Sequence, residues 1–156
     1  MAIYLKIDSI KGSSTTKGFE DQIELGSFQW GAGVGVSNAR GGDRTTSEPS
    51  VSEITATKTV DKASEGLFKS LLKGESVGKG TVSFTAASKG EAVAYATLEL
   101  EEVIISGFSM SSGGDLPSES FSLNFTKFDW SFTGRDGKQG GSPTHLIYSL
   151  IENKVG

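Results

Sequence analysis

Residues 121–132 read Phe121-Ser122-Leu123-Asn124-Phe125-Thr126-Lys127-Phe128-Asp129-Trp130-Ser131-Phe132. Apolar side chains take alternate positions, the period of a half-buried strand, but the phase slips by one residue between Phe125 and Phe128. The same slip occurs where Ile23 and Leu25 give way to Phe28 and Trp30, and where Val93 and Tyr95 give way to Leu98 and Leu100. A slip of this kind is what a β-bulge leaves in a sequence, and bulges let long strands coil into barrels. The rival account is a strand apolar on both faces, one toward the core and one toward another subunit. Both disfavour an open, flat sheet.

Outward from this stretch the period of two persists. Ile3, Leu5 and Ile7 open the chain as a strand, and residues 51–60, 81–87, 92–108, 119–133 and 145–152 read as further strands. One helix interrupts them. Asp61 is placed to cap it; Ala63, Leu67, Phe68, Leu71 and Leu72 share one face, and Gly74 ends it. Residues 31–50 hold glycines at 31, 33, 35, 41 and 42 and no apolar period, so they are expected to form an extended loop. Together these patterns predict a single all-β domain over residues 1–156 with one helix, with Trp130 and Phe132 in its core.

Composition removes most chemistry. There is no cysteine and one histidine, His145, so thiol nucleophiles, disulfides, iron–sulfur clusters and multi-histidine metal sites are excluded. A net charge of −4 argues against nucleic acid or an anionic membrane as the main partner. No apolar run approaches the length of a membrane helix, and the N-terminus reads as a strand rather than a signal peptide, so synthesis in a cytoplasm is expected.

The remaining motifs are weak. Gly31-Ala32-Gly33-Val34-Gly35 lacks the third glycine and the following helix of a dinucleotide loop, and Gly74-Glu75-Ser76-Val77-Gly78-Lys79 is one residue short of a Walker loop. Glu99 and Glu101 share a strand face with Glu102 beside them, but paired catalytic carboxylates generally come from separate elements around a cleft. They read as a solvated strand face or the wall of an aqueous channel. His145 has no G-x-S-x-G elbow to serve, and the sequon at Asn124 lies within a strand. No catalytic residue, metal site or cofactor is expected. A glycosidase built on Glu99 and Glu101 is set aside.

Three groups of residues carry a family resemblance. The first is Ile3-Tyr4-Leu5-Lys6-Ile7 with Ile10-Lys11-Gly12-Ser13-Ser14. The second is Gln22-Ile23-Glu24-Leu25 and Phe28-Gln29-Trp30-Gly31, then Thr57-Lys58-Thr59-Val60-Asp61-Lys62-Ala63-Ser64. The third is Leu98-Glu99-Leu100-Glu101-Glu102-Val103-Ile104-Ile105-Ser106 with Pro117-Ser118-Glu119-Ser120-Phe121-Ser122-Leu123-Asn124-Phe125. In this order they resemble the haemolysin-coregulated protein (Hcp) family, the inner-tube subunit of bacterial type VI secretion.

The resemblance implies a compact β-barrel with one flanking helix. It further implies a non-enzymatic structural subunit that assembles as homohexameric rings. Stacked into a tube, such rings act with type VI sheath and spike or baseplate proteins. They hold small effector proteins in the lumen, and the subunit leaves the cell without a signal peptide. Gln29, opposite in direction to Phe28 and Trp30, is the candidate for cargo contact in the lumen. Arg40, Asp43 and Arg44 are the candidates for ring stacking, in the loop the family extends between its second and third strands. The alternative is a monomeric or low-order β-barrel binding or adaptor module.

Overall fold

A computed structural model describes residues 1–37, 45–134 and 144–156. Its strands are β1 (Ile3–Ile7), β2 (Ile23–Leu25), β3 (Ser27–Gln29), β4 (Ala32–Gly33), β5 (Val36–Ser37), β6 (Thr45–Thr46), β7 (Ser50–Val51) and β8 (Ile54–Thr59). After helix α1 (Ser64–Lys73) come β9 (Gly80–Ser88), β10 (Glu91–Glu101), β11 (Ile104–Ser111), β12 (Ser118–Asn124), β13 (Lys127–Phe132), β14 (Thr144–Ser149) and β15 (Lys154–Val155). They form a seven-stranded sheet in the order β15-β14-β13-β10-β9-β1-β2 and a four-stranded sheet in the order β11-β12-β8-β3. Every pairing is antiparallel. The two sheets enclose one core in a barrel-like, mainly β fold, although among the described residues their ladders do not close into one sheet.

The phase slips have two different causes. In β10 the slip is a bulge: Ala94 pairs with Thr85 but Ala96 pairs with Phe84, so Tyr95 is the extra residue. The other two are corners where the chain leaves one sheet for the other. Gly26 lies between β2 and β3, and its N–H donates to Thr57 O at 2.6 Å. Phe125 and Thr126 lie between β12 and β13, where Phe125 is buried and the Thr126 N–H donates to Glu101 O at 3.1 Å. At a corner both limbs keep their apolar side inward, so the turn itself consumes the odd position. A third corner splits the strand expected over residues 92–108: Glu102 adopts φ +51°, and the buried Val103 exchanges two 2.8 Å hydrogen bonds with Val77 and Gly78. The two-faced-strand account explains none of the three slips.

The core runs from Leu5, Ile7, Ile23 and Leu25 through Ile54, Val82, Leu98 and Leu100 to Ile105, Phe121, Leu123 and Phe128. Phe28 meets Phe84 edge-on at 5.1 Å, and Trp30 meets Phe128 edge-on at 4.8 Å, which draws β3 onto the seven-stranded sheet. Trp130 packs only half-buried beside Phe84 and Trp30, and Phe132 is 37% exposed, so neither occupies the core position its pattern suggested. Their strand, β13, pairs with β10 and β14 in the larger sheet.

Helix α1 begins at Ser64, not immediately after Asp61. The Asp61 carboxylate instead accepts the Ala63 N–H at 2.9 Å in the turn before the helix. Ala63 and Leu67 are buried, whereas Phe68 and Leu72 remain exposed. Gly74 closes the helix in the left-handed conformation, φ +67°, its N–H bonding Ser70 O and Leu71 O. Gly12 meets a tighter demand: a Cβ there would lie 2.3 Å from Gln22 O, where the Gly12 N–H bonds Asp21 O.

A buried ionic cluster ties α1 to the smaller sheet. Lys58 Nζ lies 2.6 Å from Glu119 Oε1, 2.7 Å from Asp61 Oδ1 and 3.0 Å from Ser64 Oγ. Lys58 and Glu119 face each other across the β8–β12 ladder and are both buried.

Candidate functional surface

The outer faces of the two sheets differ in chemistry. Alternation along β3, β8 and β12 turns Ile54, Ala56, Phe28, Phe121 and Leu123 inward, and so turns Ser27, Gln29, Thr55, Thr57, Ser120, Ser122 and Asn124 outward. This outer face is hydroxyl and amide almost throughout. Ser27 Oγ and Thr57 Oγ1 share a hydrogen at 2.6 Å. A carboxylate beside it, Glu53, is engaged by Ser106 Oγ at 2.7 Å and Asn124 Nδ2 at 3.2 Å. Gln29 is exposed, stands opposite Thr55, and faces away from the Phe28 and Trp30 side, as its parity predicted.

The seven-stranded sheet carries charge instead. Lys6, Thr81, Glu99, Asp129 and Ile147 form one cross-strand row, with Glu101 opposite Lys127 in the next. Thr81, Glu99, Glu101, Lys127, Asp129 and Ile147, with Lys79, line a shallow cavity of about 190 Å³. His145 Nδ1 lies 2.9 Å from Asp129 Oδ1, both at the surface. Nothing here assembles a nucleophile with a base, and among the described residues no group of acidic or histidine side chains is grouped to hold a metal. Glu99 and Gln29 therefore stand on different sheets, and a single channel-lining sheet face does not include both.

The segment expected as a loop over residues 31–50 is partly a hairpin arm. β4 pairs with β7 and β5 with β6, and Gly35 and Ser47 exchange two 2.8 Å bonds between them. Its apolar residues Val34 and Val36 are exposed. Arg40, Asp43 and Arg44 lie outside the described residues.

A sequence model for the family described as a type VI secretion system effector, Hcp, matches residues 4–132, most of the chain. The chain belongs to the Hcp family. Solved structures share its fold. A structure described as a type six secretion system protein is 26% identical, with 99% of each chain covered and a TM-score of 0.89. Hcp1 from Salmonella typhimurium is 22% identical over 99% of this chain and 97% of its own, with a TM-score of 0.80. The secreted protein Hcp3 from Pseudomonas aeruginosa is 20% identical over 92% and 95%, with a TM-score of 0.62. No curated protein matches the chain. Hcp is a secreted, structural family of type VI secretion and not a family of enzymes. Among the described residues of this Hcp, no helix is long and apolar enough to cross a membrane.

The sequence of this Hcp predicts the outward direction of Gln29 and an extended loop over residues 31–50, but the buried pair of Lys58 and Glu119 was missed. The signal was present: Lys58 shares parity with the inward Ile54 and Ala56, and Glu119 with Phe121 and Leu123. Opposite charges at two inward strand positions predict each other as partners.

Proposed function

We propose that this Hcp is a non-enzymatic inner-tube subunit: six copies form a ring, rings stack, and the outer face of the four-stranded sheet lines the lumen. The observation that carries this reading is the neutrality of that face, with Ser27, Gln29, Thr55, Thr57, Ser120, Ser122 and Asn124 on three adjacent strands. A channel wall that small effector proteins must enter and leave is well served by hydroxyls and amides. They stay hydrated, and they present no fixed charge to hold cargo of one sign or repel the other. The charged outer face of the seven-stranded sheet lacks this property. Sheath and spike or baseplate proteins are the partners of the assembled tube, and export through the same machine requires no cleaved signal.

The arm supports stacking. Its hairpin pairs with itself, exposes Val34 and Val36, and so offers apolar side chains for a neighbouring copy to cover. Light scattering on a purified size-exclusion peak, with negative-stain images of the same fraction, tests the assembly. A mass of six protomers and annular particles are expected. A peak at one or two protomers without rings at high concentration would overturn the ring and favour a small binding or adaptor module. Gln29→Arg should leave ring mass unchanged and alter effector retention. Loss of the ring in that variant would instead assign Gln29 to a subunit contact.

A further inference from the structure

The four-stranded sheet and α1 leave an apolar ridge uncovered on the side of the molecule that carries the helix. Phe68 is 45% exposed and Leu72, one turn later on the same face, is 69% exposed. Phe68 rests on Phe108 of β11 with ring centroids 5.1 Å apart, and Met110, two residues along the same side of β11, is 52% exposed. Contiguous apolar exposure of this kind marks a contact surface more often than it decorates a monomer.

The charge beside this ridge is net positive, three lysines against two glutamates. Lys69 and Lys73 stand one turn apart on α1 next to the ridge, Lys62 just precedes the helix, and all three are exposed. They line a groove of about 490 Å³ between α1 and residues 75–77, joined there by Glu65 and Glu75. The ion pairs among the described residues involve none of the three lysines. The whole chain carries −4, so this basic, apolar strip runs against the overall charge of the molecule.

We infer that the α1–β11 ridge, Phe68, Leu72 and Met110 fringed by Lys69 and Lys73, docks an acidic amphipathic helix of another protein. The ridge takes the partner's apolar side chains at helical spacing, and the lysines take carboxylates along its flank. A second copy of this chain is a poor fit. Its one helix among the described residues is α1 itself, whose lysines would meet like charge, and its acidic surface at Glu99, Glu101 and Asp129 is a flat strand face with Ile147 as its apolar member. The inference goes beyond tube assembly and does not depend on which sheet lines the lumen.

The probe is a fluorescein-labelled, hydrocarbon-stapled peptide of about five helical turns, with leucine at i, i+3, i+4 and i+7 spacing and glutamate elsewhere. Its anisotropy is titrated with the full chain at low and high salt, beside a peptide with lysine in place of glutamate and a scrambled glutamate–leucine peptide. The acidic amphipathic peptide should bind, more weakly as salt rises, and the other two should not. Leu72→Ser, and the pair Lys69→Glu with Lys73→Glu, should each weaken binding by about tenfold or more, the loss typical of a contact-surface anchor. Lys127→Glu on the opposite sheet should leave it unchanged. The α1 substitutions fall on exposed positions, and an unchanged thermal melt of each variant shows that the fold is intact. Equal binding of the acidic and basic peptides, no binding at all, or insensitivity to the α1 variants would overturn the inference. So would a fall in assembly mass for Leu72→Ser with peptide binding intact, since the ridge would then be a contact between copies.

Discussion

Among the described residues, Lys58 and Glu119 form the most deeply buried ion pair. Both sit in the core side of the four-stranded sheet, where desolvating either alone is costly and pairing offsets that cost. Lys58→Met should therefore destabilise the protein by about 3–5 kcal/mol, because it strands Glu119 and removes the tie to Asp61 and Ser64. Joining it to Glu119→Leu should recover a large part of that loss, measurable as a double-mutant cycle in urea; a double variant as unstable as the two single effects added would contradict the pairing. The aromatic residues separate by position in the same way. Phe121, 2% exposed, should lose about 3–5 kcal/mol on truncation to Ala, whereas Phe132, 37% exposed, should lose about 1 kcal/mol. Alternation in residues 121–132 assigned both to one class of apolar position, since parity reports which side a residue faces and not whether anything covers that side.

Elements were legible where their pattern is local. The strands, the helix and its glycine stop follow from periods of two and 3.6 and from the conformational freedom of Gly74. The sheet changes were not: a bulge at Tyr95 and corners at Gly26 and at Phe125–Thr126 leave the same one-residue slip, although the bulge keeps a strand in its sheet and the corner moves it to another. The hairpin arm was read as a loop because each of its four strands is two residues long, too short for a period to register. Replacing residues 34–47 with a short Gly-Ser turn should leave the protomer's melting temperature unchanged within about 1 °C, because the described arm residues are exposed and a surface change typically costs under about 0.5 kcal/mol. Single rings should persist while stacked tubes are lost from negative-stain images. Tubes of unchanged length would remove the arm from stacking.

On the scale of the whole molecule, the two sheets place a neutral surface and a charged surface on separate sides of one core, and the helix closes the smaller sheet with its lysines outward. This separation makes the lumen assignment testable by exchange of charge. Glu99→Gln with Glu101→Gln should leave effector retention unchanged, whereas Gln29→Arg should change it; co-purification of a bound effector with each variant ring measures both. The reverse pattern would place the seven-stranded sheet in the channel. By itself the sequence determined the class of protein: mainly β, one helix, no thiol or multi-histidine chemistry, and residues in the order of the Hcp family. It also determined that Gln29 turns away from Phe28 and Trp30, because strand geometry alternates residue by residue. Only the tertiary structure decided that Gln29 and Glu99 belong to different sheets, that Lys58 meets Glu119, and that Phe68 and Leu72 stay uncovered. Each of these depends on which strands become neighbours across long stretches of chain, and a local period carries no information about partners dozens of residues away.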